Sequence, residues 1–79
     1  ELAPYPDEAR ARKLQGAVTV DMIITEEGAP IEVSVVESAG QVLNEALVEA
    51  VRGWRYEPAP KDGVNVRVHW RVRQIFRLN

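Results

Sequence analysis

Residues 64–78 read VNVRVHWRVRQIFRL, the most regular stretch of this 79-residue chain. Its valines and Trp70 fall on one side, its arginines and His69 fall on the other, and only Gln74 and Ile75 interrupt the alternation. A period of two with one apolar and one polar side is typical of an antiparallel strand with one buried face. The stretch therefore predicts a single long strand, with Trp70 in the core beside the valines rather than on the surface as a platform for a ligand.

Two further strands are predicted upstream. Residues 17–25 alternate in the same way, and a turn over residues 26–30 separates them from a second alternating run over residues 31–35. Gly28 in this turn can adopt the positive φ that tight turns often need. We therefore expect the two runs to pair as an antiparallel hairpin.

Two segments have helical signals instead. Apolar residues within 43–54 recur at i, i+3, i+4, i+7, i+8 and i+11, which places them on one face of a helix. Asn44 is the expected N-cap of this helix, and Pro58 prevents it from continuing. A shorter helix is predicted over residues 5–16, with Pro6 at its first position, where the missing N–H costs nothing.

The predicted order is helix, strand, strand, helix, strand. This order is typical of an α+β fold, here a two-layer sandwich with both helices on one face of a three-stranded antiparallel sheet. A chain of 79 residues has room for one domain, residues 1–79, with a thin core. The expected core residues come from the first strand, the second helix and the segment after that helix: Val18, Val20, Leu47, Val51, Trp54 and Tyr56.

Composition excludes several classes of protein. The formal net charge of −2 gives no reason to expect nucleic-acid binding, and the absence of cysteine excludes disulfides and thiolate metal sites. No apolar run approaches the roughly 20 residues of a membrane helix. The chain opens at Glu1 without a signal peptide, so we expect a domain of a longer protein.

The sequence holds little that could support catalysis. It has one histidine, His69, and two serines, Ser34 and Ser38, neither of which lies in a nucleophile motif. No phosphate-binding glycine loop occurs, and His69 has no second ligand within strand spacing. We therefore expect no enzymatic activity, no cofactor and no metal.

Several short motifs, spread along nearly the whole chain, carry a family resemblance: Tyr5-Pro6, Ala9-Arg10, Gly16-Ala17-Val18, Gly28, Ser38-Ala39-Gly40, Leu43 and Ala46. The most specific motif, over residues 51–58, reads VRGWRYEP. With these motifs at these spacings, the chain resembles the TonB C-terminal domain family. Pro4 is a departure, because the best-known energy transducer of the family carries there a glutamine that helps to hold the partner's peptide. This departure concerns peptide specificity and not the fold.

The resemblance implies a periplasmic domain at the end of a long linker from an inner-membrane anchor. In the family, the domain grips a short N-terminal segment of an outer-membrane transporter as an extra strand beside its own last strand, and a proton-driven inner-membrane complex supplies the energy. The resemblance thus places the last strand at an edge of the sheet, where unpaired backbone groups can bind another chain. The partner-binding residues implied are Val66, Arg67, Val68, His69, Trp70, Arg71, Val72 and Arg73, together with Tyr5.

Some alternatives stay open. The arginines at positions 67, 71, 73 and 77 form either a solvated strand face or a basic stripe that meets an acidic partner. Tyr5 either packs on the first helix or lines the peptide groove. The domain either drives transport or acts as an envelope scaffold in a TolA-like or motility-linked assembly, and a third interpretation is a periplasmic reader in a sensory or peptidase-fused membrane protein. An exposed edge strand also permits a strand-swapped homodimer.

Overall fold

The computed structural model describes residues 2–57 and 59–78, which form two helices and five strands. In chain order these elements are α1 (Asp7–Ala11), β1 (Gly16–Ile24), β2 (Pro30–Glu37), α2 (Gln41–Gly53), β3 (Ala59–Lys61), β4 (Val64–Val66) and β5 (Val68–Phe76). Strands β2, β1 and β5 form an antiparallel sheet in that spatial order, and β3 pairs with β4 in a separate hairpin. The predicted α+β architecture is confirmed.

The core lies between the sheet and the helices. The alternating residues of β1 that face the helices are buried, and so are the apolar residues of α2 at helical spacing. The buried apolar residues are Ala3, Ala9, Val18, Val20, Met22, Ile24, Leu43, Leu47, Val51 and Phe76. Trp54 and Tyr56 are half-buried and pack against the margin of this cluster.

The prediction of one continuous strand over residues 64–78 was wrong. The stretch divides at Arg67 into β4 and β5, and β4 turns back on β3 through Asp62 and Gly63. Both turn residues have positive φ, 52° and 80°, as a two-residue type I′ hairpin turn requires. Asp-Gly is a recognised sequence signal for this turn, so the hairpin was predictable from the sequence.

The first helix is shorter than the sequence predicted. It begins at Asp7 after Pro6, and it ends before Lys13, whose φ of 57° cannot continue a right-handed helix. The Leu14 N–H donates to the Ala9 carbonyl at 2.8 Å and the Lys13 N–H donates to the Arg10 carbonyl at 3.2 Å, which are the two hydrogen bonds of a Schellman motif. The predicted C-terminal stop, Gly16, is therefore the first residue of β1 instead.

Asn44 was predicted as the N-cap of the second helix, but the helix begins earlier, at Gln41 after Gly40. The Asn44 side chain instead holds the preceding loop. Its Oδ1 accepts from the Ala39 N–H at 3.0 Å, and its Nδ2 donates to Ser38 Oγ at 2.8 Å. The helix ends at Gly53, and Pro58, the predicted barrier to its continuation, lies outside the described residues.

Trp70 was predicted in the core and is instead 50% exposed. It lies opposite Met22 of β1, on the helix-facing side of the sheet as the alternation required. However, β5 is an edge strand, so its side chains have a neighbouring strand on one side only. Periodicity determines which face a residue occupies but not how well that face is covered.

Candidate strand-binding edge

The outer side of β5 is open. Strand β1 pairs with β5 along its inner side through nine consecutive residue pairs, from Gly16–Phe76 to Ile24–Val68. Within residues 2–57 and 59–78, no strand pairs with the outer side. Alternate N–H and C=O groups of an edge strand have no strand partner and can template another chain.

The opposite edge of the sheet is less regular. Strand β2 begins at Pro30, its register with β1 shifts at two places, and Glu32 has a φ of 51°. Bulges, proline and twisted backbone are the devices by which proteins protect sheet edges from further pairing. Strand β5 contains no proline and its register has no shift. Of the two edges, β5 is the better template for an added strand.

The sequence-predicted binding stretch is divided by the structure. Residues 68–73 lie on β5, whereas Val66 belongs to β4 and Arg67 joins the two strands. Arg67 Nε lies 3.1 Å from Glu26 Oε1, in the turn between β1 and β2. The predicted stretch is divided because the β3–β4 hairpin carries the chain away from the sheet edge before Val68.

Two arginines of β5 form cross-strand ion pairs on the face opposite the helices. The Arg71 guanidinium donates twice to the Asp21 carboxylate, at 2.5 Å and 2.9 Å, and Arg73 Nε lies 2.9 Å from Glu37 Oε1. Thr19 also donates to Glu37, at 2.6 Å. Three of the four arginines of the predicted stripe thus have carboxylate partners, and the face is charge-matched rather than purely basic.

These pairs change the protonation equilibria of the carboxyl groups. Hydrogen bonding from Arg71 is the main reason that the pKa of Asp21 lies below its ordinary value. The pKa of Glu37 is lowered chiefly by the bond from Arg73 and then by the bond from Thr19. Both carboxyl groups therefore stay ionised to lower pH than isolated ones.

His69 lies beside the ion pair of Asp21 and Arg71. Its Nε2 lies 3.4 Å from Asp21 Oδ2, on the carboxylate that also binds Arg71. Among the residues that the structure describes, no group of three or more histidine, cysteine, aspartate and glutamate side chains could hold a metal ion. In this part of the chain there is also no helix both long and apolar enough to cross a membrane.

Tyr5 packs at the far end of β5 from Val68. Its hydroxyl donates to the Leu14 carbonyl, its ring meets Phe76 edge-on with centroids 5.4 Å apart, and the Arg10 guanidinium lies 5.0 Å from its ring centroid. These contacts place Tyr5 against the first helix and its C-terminal turn, and its part in peptide binding stays a prediction.

Gln74 has a role that the sequence did not reveal. Its amide is buried and bonds both backbone groups of Ala3: Oε1 accepts from the Ala3 N–H at 2.8 Å, and Nε2 donates to the Ala3 carbonyl at 2.9 Å. These two bonds fasten the N-terminal segment to β5. The only signal in the sequence was a polar residue in register with the buried side of a strand.

A pocket of about 240 Å³ lies at the start of β5, on the helix-facing side of the sheet. It is lined by Ile24, Tyr56, Glu57, Val68 and Trp70. The Tyr56 N–H donates to the Gly28 carbonyl at 3.0 Å, which fixes this segment against the β1–β2 turn. Burial raises the pKa of Tyr56 above its ordinary value. The pocket places apolar side chains next to the open edge.

The fold and this edge define a class of protein: a small α+β sandwich whose sheet, within the described residues, ends in one regular strand with an open outer side. The chain matches the family model described as the C-terminal domain of the Gram-negative bacterial TonB protein over residues 2–78. It therefore belongs to the TonB C-terminal domain family, and the resemblance seen in the sequence is confirmed.

Two curated relatives are similar in sequence. A TonB protein of Vibrio cholerae serotype O1 is 32% identical over 77 residues, and a TonB2 protein of Pseudomonas aeruginosa is 35% identical over 77 residues. These alignments cover 94% and 95% of this chain. They cover only 31% and 28% of the relatives, so the chain spans less than a third of their length.

Two solved structures are similar in fold. The solution NMR structure of the Pseudomonas aeruginosa TonB CTD superposes with a TM-score of 0.81 at 28% identity, covering 99% of this chain and 80% of that one. The NMR structure of the Helicobacter pylori TonB-CTD superposes with a TM-score of 0.76 at 25% identity, covering 98% and 70%. Both agree with the two-layer α+β architecture.

Proposed function

We propose that this chain is the periplasmic module of a TonB-like envelope energy transducer, and that it captures an extended N-terminal segment of an outer-membrane transporter by strand addition at β5. The family supports the class of protein. Strand addition as the binding mode is supported by one observation, the regular and unpaired outer side of β5. In this proposal, the domain is a binding module without catalytic chemistry, and an inner-membrane anchor and proton-driven motor act through other parts of the protein.

Strand addition would use the backbone of β5 first. An added strand lies about 4.8 Å from β5 and forms hydrogen bonds with the outward-facing N–H and C=O groups of every second residue of β5. Each such bond contributes a net free energy of about 1 kcal/mol, so several are needed for useful affinity. The nine residues of β5 offer enough length for a segment of ordinary strand size.

The arginines would contribute less than a free basic stripe. Arg71 and Arg73 already have carboxylate partners on β1 and β2, so an acidic peptide would have to compete with Asp21 and Glu37. Charge at such a surface mainly affects encounter rate and register. The proposed recognition therefore rests on backbone pairing and on apolar side chains.

The first experiment is an NMR titration of the ¹⁵N-labelled domain. The probes are synthetic peptides from the N-termini of the outer-membrane transporters of the same organism. We expect one or more peptides to shift the amides of residues 68–76 and to protect alternate ones from hydrogen exchange. The amides of β2 serve as the internal control and should change little, because that edge is bulged. Shifts confined to β2 or to the helices would contradict strand addition at β5.

A second experiment tests backbone pairing itself. Each amide of the binding peptide is N-methylated in turn, which removes one donor and keeps the side chain. Strand addition predicts losses of affinity of about fivefold at every second position and small effects between them. If no transporter peptide binds a domain shown to be folded and monomeric, the envelope-scaffold alternative gains the advantage.

A further inference from the structure

Tyr56 carries a buried hydroxyl group for which the described residues provide no hydrogen-bond partner. Its aromatic ring lines the pocket at the start of β5, and the ring of Trp54 holds it edge-on, with centroids 6.2 Å apart. A buried polar atom without a partner is unfavourable and uncommon in folded proteins. Trp70 also lines this pocket and is half exposed. Tyr56, whose buried hydroxyl has no acceptor among the described residues, and Trp70, whose indole is half uncovered, thus line one pocket.

We propose that this pocket receives one apolar side chain of the segment added to β5, and that the Tyr56 hydroxyl donates a hydrogen bond to an uncharged oxygen of that segment. The inference rests on the proposed function and adds to it the chemistry of the residue that is recognised. It assigns side-chain selectivity to one end of the edge strand.

The geometry of strands supports this occupant. Val68 and Trp70 are two residues apart on β5, so both side chains lie on the same face and form part of the pocket. A residue of an added strand that lies directly opposite one of them has its Cβ about 4.5–5.5 Å from the Cβ of that residue. A residue of the added segment at that position lies on the same face of the sheet as the pocket, and we expect its side chain to enter the pocket.

The pocket walls determine which side chain fits. Ile24, Val68 and the Trp70 indole present apolar surface, and a volume of about 240 Å³ has room for one branched aliphatic or aromatic side chain. Glu57 at the same site disfavours an acidic side chain. The hydroxyl of Tyr56 favours a carbonyl, amide or hydroxyl oxygen nearby. We therefore expect a leucine, isoleucine, valine or phenylalanine beside a neutral polar group.

The test is a double-mutant cycle between the domain and the transporter peptide that shifts the β5 amides. Each apolar residue of that peptide is replaced by alanine, and affinities are measured for wild type and for Trp70→Ala. We expect one position where alanine weakens binding to wild type about tenfold, as burial of one aliphatic side chain requires. At that position the loss falls below about threefold with Trp70→Ala, because the pocket wall is gone.

Ile75→Ala is the matched control. Ile75 is on the same strand, is 49% exposed, and lies one residue from Gln74, so it faces away from the pocket. With this variant the tenfold effect at the sensitive peptide position should persist. Circular dichroism and the amide spectrum establish that both variants fold.

The hydroxyl is tested separately with Tyr56→Phe. We expect peptide affinity to fall about fivefold, while the midpoint of thermal unfolding stays the same or rises, because an unsatisfied buried group is removed. A variant that loses stability and keeps its peptide affinity would assign the hydroxyl a structural role and overturn this part of the proposal.

The outcomes separate the two proposals. If peptides shift the β5 amides but no peptide position responds to Trp70→Ala, the pocket proposal fails and strand addition stands. If no transporter peptide shifts the β5 amides, both fail together.

Discussion

Gln74 is the residue that most clearly joins distant parts of this chain. Its buried amide satisfies both backbone groups of Ala3, 71 residues away in sequence. A glutamine on the core side of a strand is costly unless its amide is satisfied, and here both of its polar atoms are. The residue thus converts an unfavourable position into an attachment for the N-terminal segment.

Gln74→Ala should destabilise the domain. The substitution leaves a buried N–H and a buried carbonyl of Ala3 without partners, and we expect a loss of about 2–3 kcal/mol in the free energy of unfolding. Chemical denaturation measures it, and faster amide exchange at Ala3 localises it. Gln15→Ala is the matched control, because Gln15 is exposed and accepts one bond from the Leu78 N–H. Equal losses for the two variants would contradict this role of Gln74.

The ion pair of Asp21 with Arg71 should make stability depend on pH. The pKa of Asp21 is lowered in the folded state, so the unfolded state binds more protons as the pH falls. The stabilisation is complete above the ordinary pKa of 3.8 and is lost as the pH falls through the lower folded pKa. We expect Arg71→Gln to reduce the slope of the unfolding free energy against pH in this range.

The control for that measurement is Arg55→Gln. It removes the same charge, but the Arg55 guanidinium bonds the Trp54 carbonyl and not a carboxylate. Its pH slope should match that of the wild type. Added salt should weaken the Arg71 effect, because the pair is exposed to solvent.

Among the elements, glycine has different roles in the β3–β4 hairpin and at the end of α2. Gly63 has a φ of 80° in the hairpin turn, whereas Gly53 is the last residue of α2. A Cβ added at either position meets no atom within 4 Å. Backbone conformation alone therefore distinguishes them, since a side chain in the left-handed region is strained and one in a helix is not.

Gly63→Ala and Gly53→Ala should accordingly have opposite effects. We expect Gly63→Ala to weaken the β3–β4 hairpin by about 1–2 kcal/mol, seen as reduced amide protection and cross-strand contacts in β4. We expect Gly53→Ala to raise the global free energy of unfolding by up to about 1 kcal/mol. Stabilisation by both substitutions would show that the turn does not need a positive φ.

For the domain as a whole, the thin core sets the free energy of unfolding. A domain of this size is stabilised by about 4–12 kcal/mol, from roughly 0.05–0.15 kcal/mol per residue. The fully buried side chains of Leu43, Leu47 and Val51 on α2 meet those of β1 in one cluster. The loss of one large side chain from this cluster is therefore a substantial part of the total.

Leu47→Ala should destabilise the domain by about 2–5 kcal/mol, through lost burial and the cavity left behind. Leu2→Ala, at a position 77% exposed, is the control and should change the free energy of unfolding by less than about 0.5 kcal/mol. Denaturant unfolding followed by tryptophan fluorescence measures both. A small effect at Leu47 would mean that the core collapses around the cavity.

Local patterns in the sequence were enough to assign the faces of the elements. The period of two in β1 and β5 and the helical period in α2 predicted the helix-facing residues, because periodicity is a local property of the backbone. The family motif over residues 51–58 and the motifs spaced around it were also sufficient for the family. Even the missed hairpin had a local signal, Asp62-Gly63.

What covers each face and each edge depends instead on contacts between distant segments of the chain. Strand β5 rather than β1 lies at the edge of the sheet, and Trp70 is half exposed there. Arg71 and Arg73 have carboxylate partners on other strands, and Gln74 holds Ala3. All of these features depend on residues that are distant in the sequence. Such contacts have no local period, because strand order and side-chain pairing are set by packing between segments far apart in the chain. The pocket beside Trp70 arises from the same cause, since its walls come from β1, β5 and the segment after α2.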